Sequence, residues 1–265
     1  MIHVMSSNPV FKSLRHALLG VSLLASSAAA QDATPSAKDL AARMSEGIQD
    51  GSSTVRLKME FAQADGAKTV LQLKVNSRRS ASSTDVVYQI LWPKERKGES
   101  FLVKRSGSRA PTGSVFTPPA TLTSLDASAM KNGIFGSDLA YDDVVDNFYA
   151  WGEQKLVGTE TVDKVECQIL ESKGGNGSYR KVLSWIDLKR MVPLRVDKYG
   201  ESGKLVRSIY TTRVSKDDTG RTVPSAFKVV RAGDDSPTEI EGSNSKHDVT
   251  LPDSDFTPEA LRALK

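Results

Sequence analysis

The stretch that decides the fold is GSSTVRLKMEFAQADGAKTVLQLKVNSRR, residues 51–79. Apolar residues occupy every second position on both sides of the turn at Asp65-Gly66 and alternate with charged or polar ones. Because side chains of a β-strand point alternately to its two faces, this period of two predicts a β-hairpin with one apolar face. The alternating apolar residues are Val55, Leu57, Met59 and Phe61 before the turn and Leu71, Leu73 and Val75 after it.

Similar patterns fill most of the remaining chain. They predict about ten strands at spacings near ten residues, and residues 106–130, rich in Ser, Thr, Pro and Gly, are expected to be irregular with short strands at most. Helices are expected at 36–48 and 144–151, the second capped by Ser137 or Asp138, and a short one follows Thr257. This order predicts a mainly β (α+β) fold, a meandering antiparallel sheet curled into a barrel or half-barrel, in one domain over residues 31–265.

The first thirty residues have the three parts of a cleavable signal peptide. Lys12 and Arg15 supply the basic part, and residues 17–25 form an apolar run too short for a bilayer, which needs about 20 residues. Ala28 and Ala30 complete the small-x-small pattern of a cleavage site. We therefore expect cleavage after Ala30 and an exported protein. No cysteine stands directly after the apolar run, so a lipid anchor is not expected.

Charge and cysteine content narrow the classes of function. The full chain has 36 basic and 32 acidic residues and a net charge of +4; removal of Lys12 and Arg15 with the signal peptide leaves +2. The basic residues are scattered, which does not favour nucleic acid binding. Cys167 is the only cysteine, so no intramolecular disulfide can form, and a small buried residue is the expected role of its side chain.

The sequence offers little catalytic chemistry. His247 is the only histidine after residue 30, and we expect it to be an exposed residue at the end of a strand. Nucleophile-elbow, phosphate-loop and zinc motifs are absent from the sequence, so we expect no enzyme activity, no cofactor and no metal. An acidic cluster is expected to be the solvated start of a helix, with a calcium site or a partner-docking face as the alternatives. It consists of Asp138, Asp142, Asp143 and Asp146.

The apolar strand faces allow two interpretations. Periodicity alone favours a filled core, whereas a curled sheet could instead leave its apolar face around a ligand cavity. Complete burial of an acyl chain of about 15 methylenes gains on the order of 12 kcal/mol, before association costs. The candidate cavity residues are Leu57, Met59, Phe61, Leu71, Leu73, Val75, Tyr88, Ile90, Trp92, Phe101, Val103, Leu183 and Trp185.

The segment FGSDLAYDD, residues 135–143, resembles the F-x-G-S-D-F-S-Y-E-D signature of the outer-membrane lipoprotein-sorting proteins, the LolA-like family. Residues 36–48, 158–170, 185–187, 191–196 and 251–258 resemble the same family in the same order, so the likeness covers nearly all of the chain after residue 30. Two departures stand inside the signature: Leu139-Ala140 replaces the aromatic-Ser pair, and Asp142 replaces Glu.

The resemblance implies a strongly curved, unclosed antiparallel half-barrel whose few helices cover an apolar cavity. It further implies a monomeric, non-enzymatic carrier in the periplasm that shuttles the acyl chain of a lipid or lipoprotein between the inner and outer membranes. The implied partners are an outer-membrane acceptor and a possible inner-membrane exporter of the resistance-nodulation-division type. The alternative is an envelope-stress sensor of the same fold that binds lipid or misfolded outer-membrane protein. The family's lid or mouth maps to Phe135, Gly136, Ser137, Asp138 and Tyr141.

Overall fold

The computed structural model describes residues 34–63 and 65–263. The predicted signal peptide, residues 1–30, and its cleavage site at Ala30 lie outside these residues. Two α-helices are present in the described part, α1 (Ala37–Ile48) and α2 (Tyr141–Val145). Short 3-10 turns lie at Lys94–Arg96, Ala129–Lys131, Ile134–Gly136, Phe148–Ala150, Asp253–Phe256 and Glu259–Ala263.

Thirteen strands make up the sheet of the described residues. They are β1 (Gly51–Ala62), β2 (Lys68–Arg79), β3 (Ser83–Trp92), β4 (Ser100–Ser106), β5 (Thr112–Thr117), β6 (Thr121–Leu125), β7 (Glu153–Val162), β8 (Val165–Lys173), β9 (Lys181–Asp187), β10 (Val192–Tyr199), β11 (Leu205–Lys216), β12 (Thr222–Arg231) and β13 (Thr238–His247). The strands beyond the expected ten include β5 and β6, which lie in the segment that was expected to be largely irregular.

The sheet is antiparallel and open. Its strand order is β6-β5-β4-β3-β2-β1-β13-β12-β11-β10-β9-β8-β7, so β6 and β7 are its two edges. The hairpin predicted from residues 51–79 is confirmed, with Leu57 opposite Leu73. Leu73 in turn lies opposite Ile90 of β3, so one apolar row continues from strand to strand. The predicted unclosed antiparallel fold is thus confirmed.

Contacts between distant strands show how strongly the sheet is curled. Arg105 at the end of β4 donates a hydrogen bond to Asn176 in the β8–β9 loop over 3.0 Å, and the Asn176 amide donates to the Ser108 carbonyl over 2.6 Å. In the strand order, β4 and β8 are separated by eight other strands. The sheet therefore bends its two halves towards each other, and we call the face enclosed between them the inner face.

Helix α1 covers one half of the inner face. It begins where the sequence predicts, because the Ser36 hydroxyl accepts a hydrogen bond from the Asp39 amide over 3.2 Å and caps the first turn. Leu40, Ala41 and Met44, spaced by helical periodicity, are buried against β8, β9 and β10. This half of the molecule has an ordinary helix-on-sheet core.

The helix predicted at residues 144–151 is wrong in extent and in its cap. Helix α2 begins earlier, at Tyr141, ends at Val145, and is followed by the 3-10 turn at 148–150. Neither Ser137 nor Asp138 caps it: Ala140 is the N-cap residue, and its amide donates to the Asp143 carboxylate over 2.7 Å. The side chain of Asp138 is bonded instead to a distant strand.

The outer face of the sheet is covered near β3 to β5 by the C-terminal residues. Phe256 and Leu261, from the last two 3-10 turns, are buried against Val87, Leu102 and Phe116. Thr257 accepts a hydrogen bond from the Ala260 amide over 3.2 Å, as its predicted capping role requires. Among the described residues, the chain has no helix with the length and apolar character needed to cross a membrane.

Candidate functional site

A continuous apolar cluster lines the inner face of β1 to β4 and extends across β13 and β12. Leu57 and Phe227 are partly buried at its margin. We call this set the inner cluster, and its buried members are Met59, Phe61, Leu71, Leu73, Val75, Val86, Tyr88, Ile90, Phe101, Val103, Met130, Ile134, Leu139, Tyr141, Val144, Val145, Val229 and Ile240.

Residues 130–145 cover the inner cluster, and we call them the cover segment. Its aromatic residues meet at Phe101 of β4: the ring of Tyr141 packs edge-on with the centroids 4.9 Å apart, and that of Phe135 is tilted with the centroids 5.4 Å apart. Tyr88 stacks on the same Phe101 ring at 4.8 Å. Burial raises the pKa of Tyr88 to about 12, so its hydroxyl stays neutral. The cover segment thus closes the cluster with aromatic rings.

The backbone of the cover segment is tightly folded. Gly136 has φ of +94°, and Phe135 has φ of 53°, a left-handed conformation that costs a residue with a side chain about 1–2 kcal/mol. At Gly133 a Cβ atom would lie 1.8 Å from the Ser137 carbonyl oxygen, so only glycine fits. The Ser137 hydroxyl donates to the Ile134 carbonyl over 2.8 Å. Gly136 therefore supplies backbone freedom, as the resemblance implies, and Ser137 ties the turn together.

Asp138 fastens the cover segment to the strands on the far side of the inner cluster. Its carboxylate accepts a hydrogen bond from the Thr238 hydroxyl of β13 over 2.9 Å, and that hydroxyl accepts one from the Asp138 amide, also at 2.9 Å. Arg231 of β12 lies 3.1 Å from the same carboxylate. The role of hydrogen-bond acceptor, which the resemblance implies for Asp138, is the one that this geometry supports.

Asp143 makes the deepest ionic contact of the cover segment. Its buried carboxylate lies 2.7 Å from Lys198 of β10 and 3.2 Å from Arg207 of β11, whose side chains are only 2% and 4% exposed. Tyr179 donates a further hydrogen bond over 2.8 Å. Burial disfavours the charged form of Asp143, but Lys198 and Arg207 outweigh it and hold its pKa below the ordinary value. The cover segment is therefore bound to β10 and β11 by a buried charge network.

Two more aspartates of the acidic cluster are also buried and bonded. Asp142 accepts hydrogen bonds from the Ser178 amide over 2.9 Å and from the Ser178 hydroxyl. Asp146 lies 2.7 Å from Arg105, yet burial prevails and raises the pKa of Asp146 above its ordinary value. The expectation of a solvated helix start is wrong, because the curled sheet brings cationic and hydroxyl groups from distant strands onto these carboxylates.

The structure brings together most of the predicted cavity residues, but not all. Ten of them belong to the inner cluster or its margin: Leu57, Met59, Phe61, Leu71, Leu73, Val75, Tyr88, Ile90, Phe101 and Val103. Trp92, at the end of β3, is 49% exposed. Leu183 and Trp185 lie on the outer face with Cys167 and Leu194, because β9 turns Val182 and Ile186 towards α1. Both faces of β9 are apolar, so its sequence pattern could not assign the inner one.

Several members of the inner cluster were not among the predicted cavity residues. Met130, Ile134 and Leu139 come from the cover segment, whose irregular backbone follows neither a helical nor a strand period. Val229 and Ile240 come from β12 and β13, where alternation is weak. The signature at 135–141 was the only signal for the cover segment, and it marks the turn rather than the flanking apolar residues.

His247 differs from its expected environment. Its side chain is only 8% exposed and lies beside three carboxylates rather than in solvent. One ring nitrogen contacts Asp218, and the other lies 3.4 Å from Asp50 and 3.9 Å from Asp217. Asp217 and Asp218 lie in the β11–β12 turn, and Asp50 directly precedes β1, whose first residues pair with the end of β13. Among the described residues, no group of His, Cys, Asp and Glu has the geometry of a metal site.

Comparisons with known proteins agree with this architecture. A family model described as "Uncharacterized protein" matches residues 82–263. The chain belongs to this family. No protein with curated annotation matches the sequence.

Three solved structures are similar over most of the chain. A DUF1329 family protein from Desulfovibrio piger is 25% identical, with a TM-score of 0.77 and coverage of 85% of this chain and 97% of that one. A domain assigned to the outer membrane lipoprotein-sorting proteins, from Vibrio parahaemolyticus, is 17% identical, with a TM-score of 0.75 and coverage of 85% and 98%. A LolA superfamily protein from Nitrosomonas europaea is 21% identical, with a TM-score of 0.68 and coverage of 86% and 100%. The LolA-like resemblance read from the sequence is thereby confirmed at the level of the fold.

Proposed function

We propose that this protein is a periplasmic, non-enzymatic carrier that holds the acyl chain of a lipid or lipoprotein between the inner face of β1 to β4 and the cover segment. In this proposal, cleavage after Ala30 releases one domain, residues 31–265, which shuttles its cargo between the inner and outer membranes. Donation by an exporter of the resistance-nodulation-division type and delivery to an outer-membrane acceptor belong to the same proposal and rest on the family resemblance.

The observation that carries the proposal is the manner in which the inner cluster is covered. An irregular segment places aromatic rings on the apolar strands, while its anchoring contacts are polar and lie at discrete points, at Asp138 and Asp143. Such a segment can leave without unfolding a strand, because it supplies no strand to the sheet. An acyl chain that takes its place restores the burial of the exposed apolar face.

Burial of the acyl chain is the term that favours the exchange. About 15 methylenes gain on the order of 12 kcal/mol on complete burial. This gain is set against release of the polar anchors, exposure of the apolar side chains of the cover segment, and association and ordering of the acyl chain. A carrier of this kind keeps its cargo out of water and gives it up only when the cover segment opens at an acceptor.

Native mass spectrometry tests this function most simply. The protein is purified from periplasm without detergent, measured intact, and then extracted for lipid analysis. We expect a bound mass that corresponds to a phospholipid or an acylated peptide. A protein that stays ligand-free, and that also takes up no acyl chain from vesicles, would disprove the carrier.

A reversible lock tests the role of the cover segment. The double variant Asp138→Cys/Thr238→Cys replaces two side chains that already contact each other, and the native Cys167 is buried. When the two new thiols are oxidised to a disulfide, uptake of a fluorescent fatty acid should slow at least about tenfold. A tenfold change corresponds to about 1.4 kcal/mol in the free-energy barrier to uptake. Reduction should restore the rate, and each single variant serves as the control. Equal rates for the oxidised and reduced forms would show that the chain does not enter beneath the cover segment.

A further inference from the structure

A cavity of about 340 Å³ lies beside the cover segment, at the side where the two halves of the curled sheet approach each other. The β8–β9 loop, the β10–β11 turn and the residues around β5 and β6 form its walls. Met130 lines this cavity and is also a buried member of the inner cluster. The cavity and the proposed acyl-chain site therefore share a residue of the cover segment.

The cavity contains charged groups of both signs. Lys131, Arg180 and Arg207 line it together with Asp142 and Glu201. Arg207 lies 3.2 Å from Asp143, a carboxylate that it shares with Lys198, and the other four charges of the lining are two positive and two negative. A lining that carries separated charges of both signs complements a zwitterion, whose phosphate and ammonium can each face an opposite charge.

Two buried polar atoms on these lining residues have no hydrogen-bond partner within the described part of the chain. They are the Nε donor of Arg207 and the Oδ1 acceptor of Asp142. Buried polar atoms are nearly always bonded, so an unbonded donor on one lining residue and an unbonded acceptor on another call for a ligand group that both accepts and donates. A phosphate oxygen can accept from Arg207, and a primary ammonium can donate to Asp142.

We propose that this cavity binds the phosphoethanolamine headgroup of a phospholipid whose acyl chain occupies the inner cluster. The phosphate lies towards Arg207, Arg180 and Lys131, and the ammonium lies towards Asp142 and Glu201. A choline headgroup has no N–H to donate to Asp142, and a glycerol headgroup has no cation to place against Asp142 and Glu201. This inference rests on the proposed function and adds the class of cargo.

The test is a competition among lipids with identical acyl chains. The delipidated mature protein is incubated with vesicles of equal parts phosphatidylethanolamine, phosphatidylcholine and phosphatidylglycerol, and the bound lipids are identified by native mass spectrometry. We expect phosphatidylethanolamine to exceed each of the others about tenfold, the effect of one charged hydrogen bond. Asp142→Asn should bring the ratio of ethanolamine to choline lipid close to one without reducing total lipid.

Two further arms separate the sources of binding energy. Lys131→Gln should lower uptake of all three phospholipids but leave uptake of a free fatty acid unchanged. The control is Arg213→Gln, at an exposed residue that does not line the cavity, and it should change neither phospholipid uptake nor fatty acid uptake. Soluble phosphoethanolamine and inorganic phosphate, titrated calorimetrically, should bind at least about a hundredfold more weakly than the lipid, because they lack the chain.

The outcomes distinguish the two proposals. Binding of the three phospholipids in equal proportions would overturn the headgroup site but would still support the carrier function. Failure to bind any lipid would overturn the carrier function. Soluble phosphoethanolamine that binds as tightly as the lipid would show that the cavity serves a free metabolite instead of a headgroup.

Discussion

Two different structures cover the inner face of the same sheet. Over β8 to β10 lies α1, a regular helix with a side-chain cap and an apolar stripe of Leu40, Ala41 and Met44. Over β1 to β4 lies the cover segment, with one short helix, a left-handed Phe135 and a buried charge network at Asp143. The first cover depends on hydrophobic packing, and the second combines packing with polar anchors.

The difference indicates which cover can move. A helix that is bound by a continuous apolar stripe loses burial along its whole length when it separates, and nothing replaces that burial. The cover segment is bound at a few polar points, and a cargo chain can replace its apolar contacts. We therefore interpret α1 as fixed core and the cover segment as the part that opens.

The largest expected effect belongs to Asp143→Asn. It leaves Lys198 and Arg207 buried without their counter-charge, and removal of one partner from a buried ion pair costs about 3–5 kcal/mol. The free energy of unfolding, measured by urea denaturation, should fall by that amount, and acyl-chain uptake should become faster. Asp146→Asn is the matched control in the same region. Because burial already penalises the charge of Asp146, this variant should lose less of the free energy of unfolding. Equal losses for the two variants would contradict the assigned anchor.

The next effect is expected at Leu40→Ala, beneath the fixed cover. The Leu40 side chain is completely buried against the β8–β10 half, and such truncations cost about 2–5 kcal/mol. We expect a loss of about 3 kcal/mol in the free energy of unfolding, with unchanged uptake per folded molecule. If Leu40→Ala accelerated uptake as much as Asp143→Asn does, the distinction between the two covers would fail.

The smallest effect is expected from acidification. Because the pKa of Asp143 is lower in the folded protein than its ordinary value of 3.8, its stabilisation is complete well above that value and is lost as the pH falls through the lower, folded value. Stability should thus decline below about pH 4, and Asp143→Asn should lack this part of the decline. Asp146 works in the opposite sense, since its raised pKa favours the folded state on protonation, which reduces the net effect. Urea midpoints between pH 3 and pH 7 provide the measurement.

Local periodicity was sufficient for the regular part of the fold. The alternation in residues 51–79 determines both the hairpin and its apolar face, and Ser36 marks the start of α1 because its hydroxyl caps a helix of clear period. The sequence pattern did not place the short strands β5 and β6, because β6 is the edge of the sheet and β5 lies next to it, where Ser, Thr and Gly suffice. The pairing of β5 with β4 and of β6 with β5 is a property of the tertiary structure.

The environment of the acidic cluster could not be predicted from local periodicity. From spacing alone, Asp142 and Asp143 suit the first turn of a solvated helix, and they do occupy the first turn of α2. Their partners, however, lie on β10, β11 and the β8–β9 loop, more than thirty residues further along the chain. Only the curvature of the sheet brings these groups together, and no local pattern encodes that curvature.

The central claim is that an acyl chain lies between β1–β4 and the cover segment, and photo-crosslinking tests it most directly. A fatty acid with a diazirine near its terminal methyl is bound to the protein, irradiated, and located by peptide mass spectrometry. We predict adducts within residues 55–103 and 130–145. Adducts confined to α1 and β8–β10, or to the outer face around Trp185, would contradict the account.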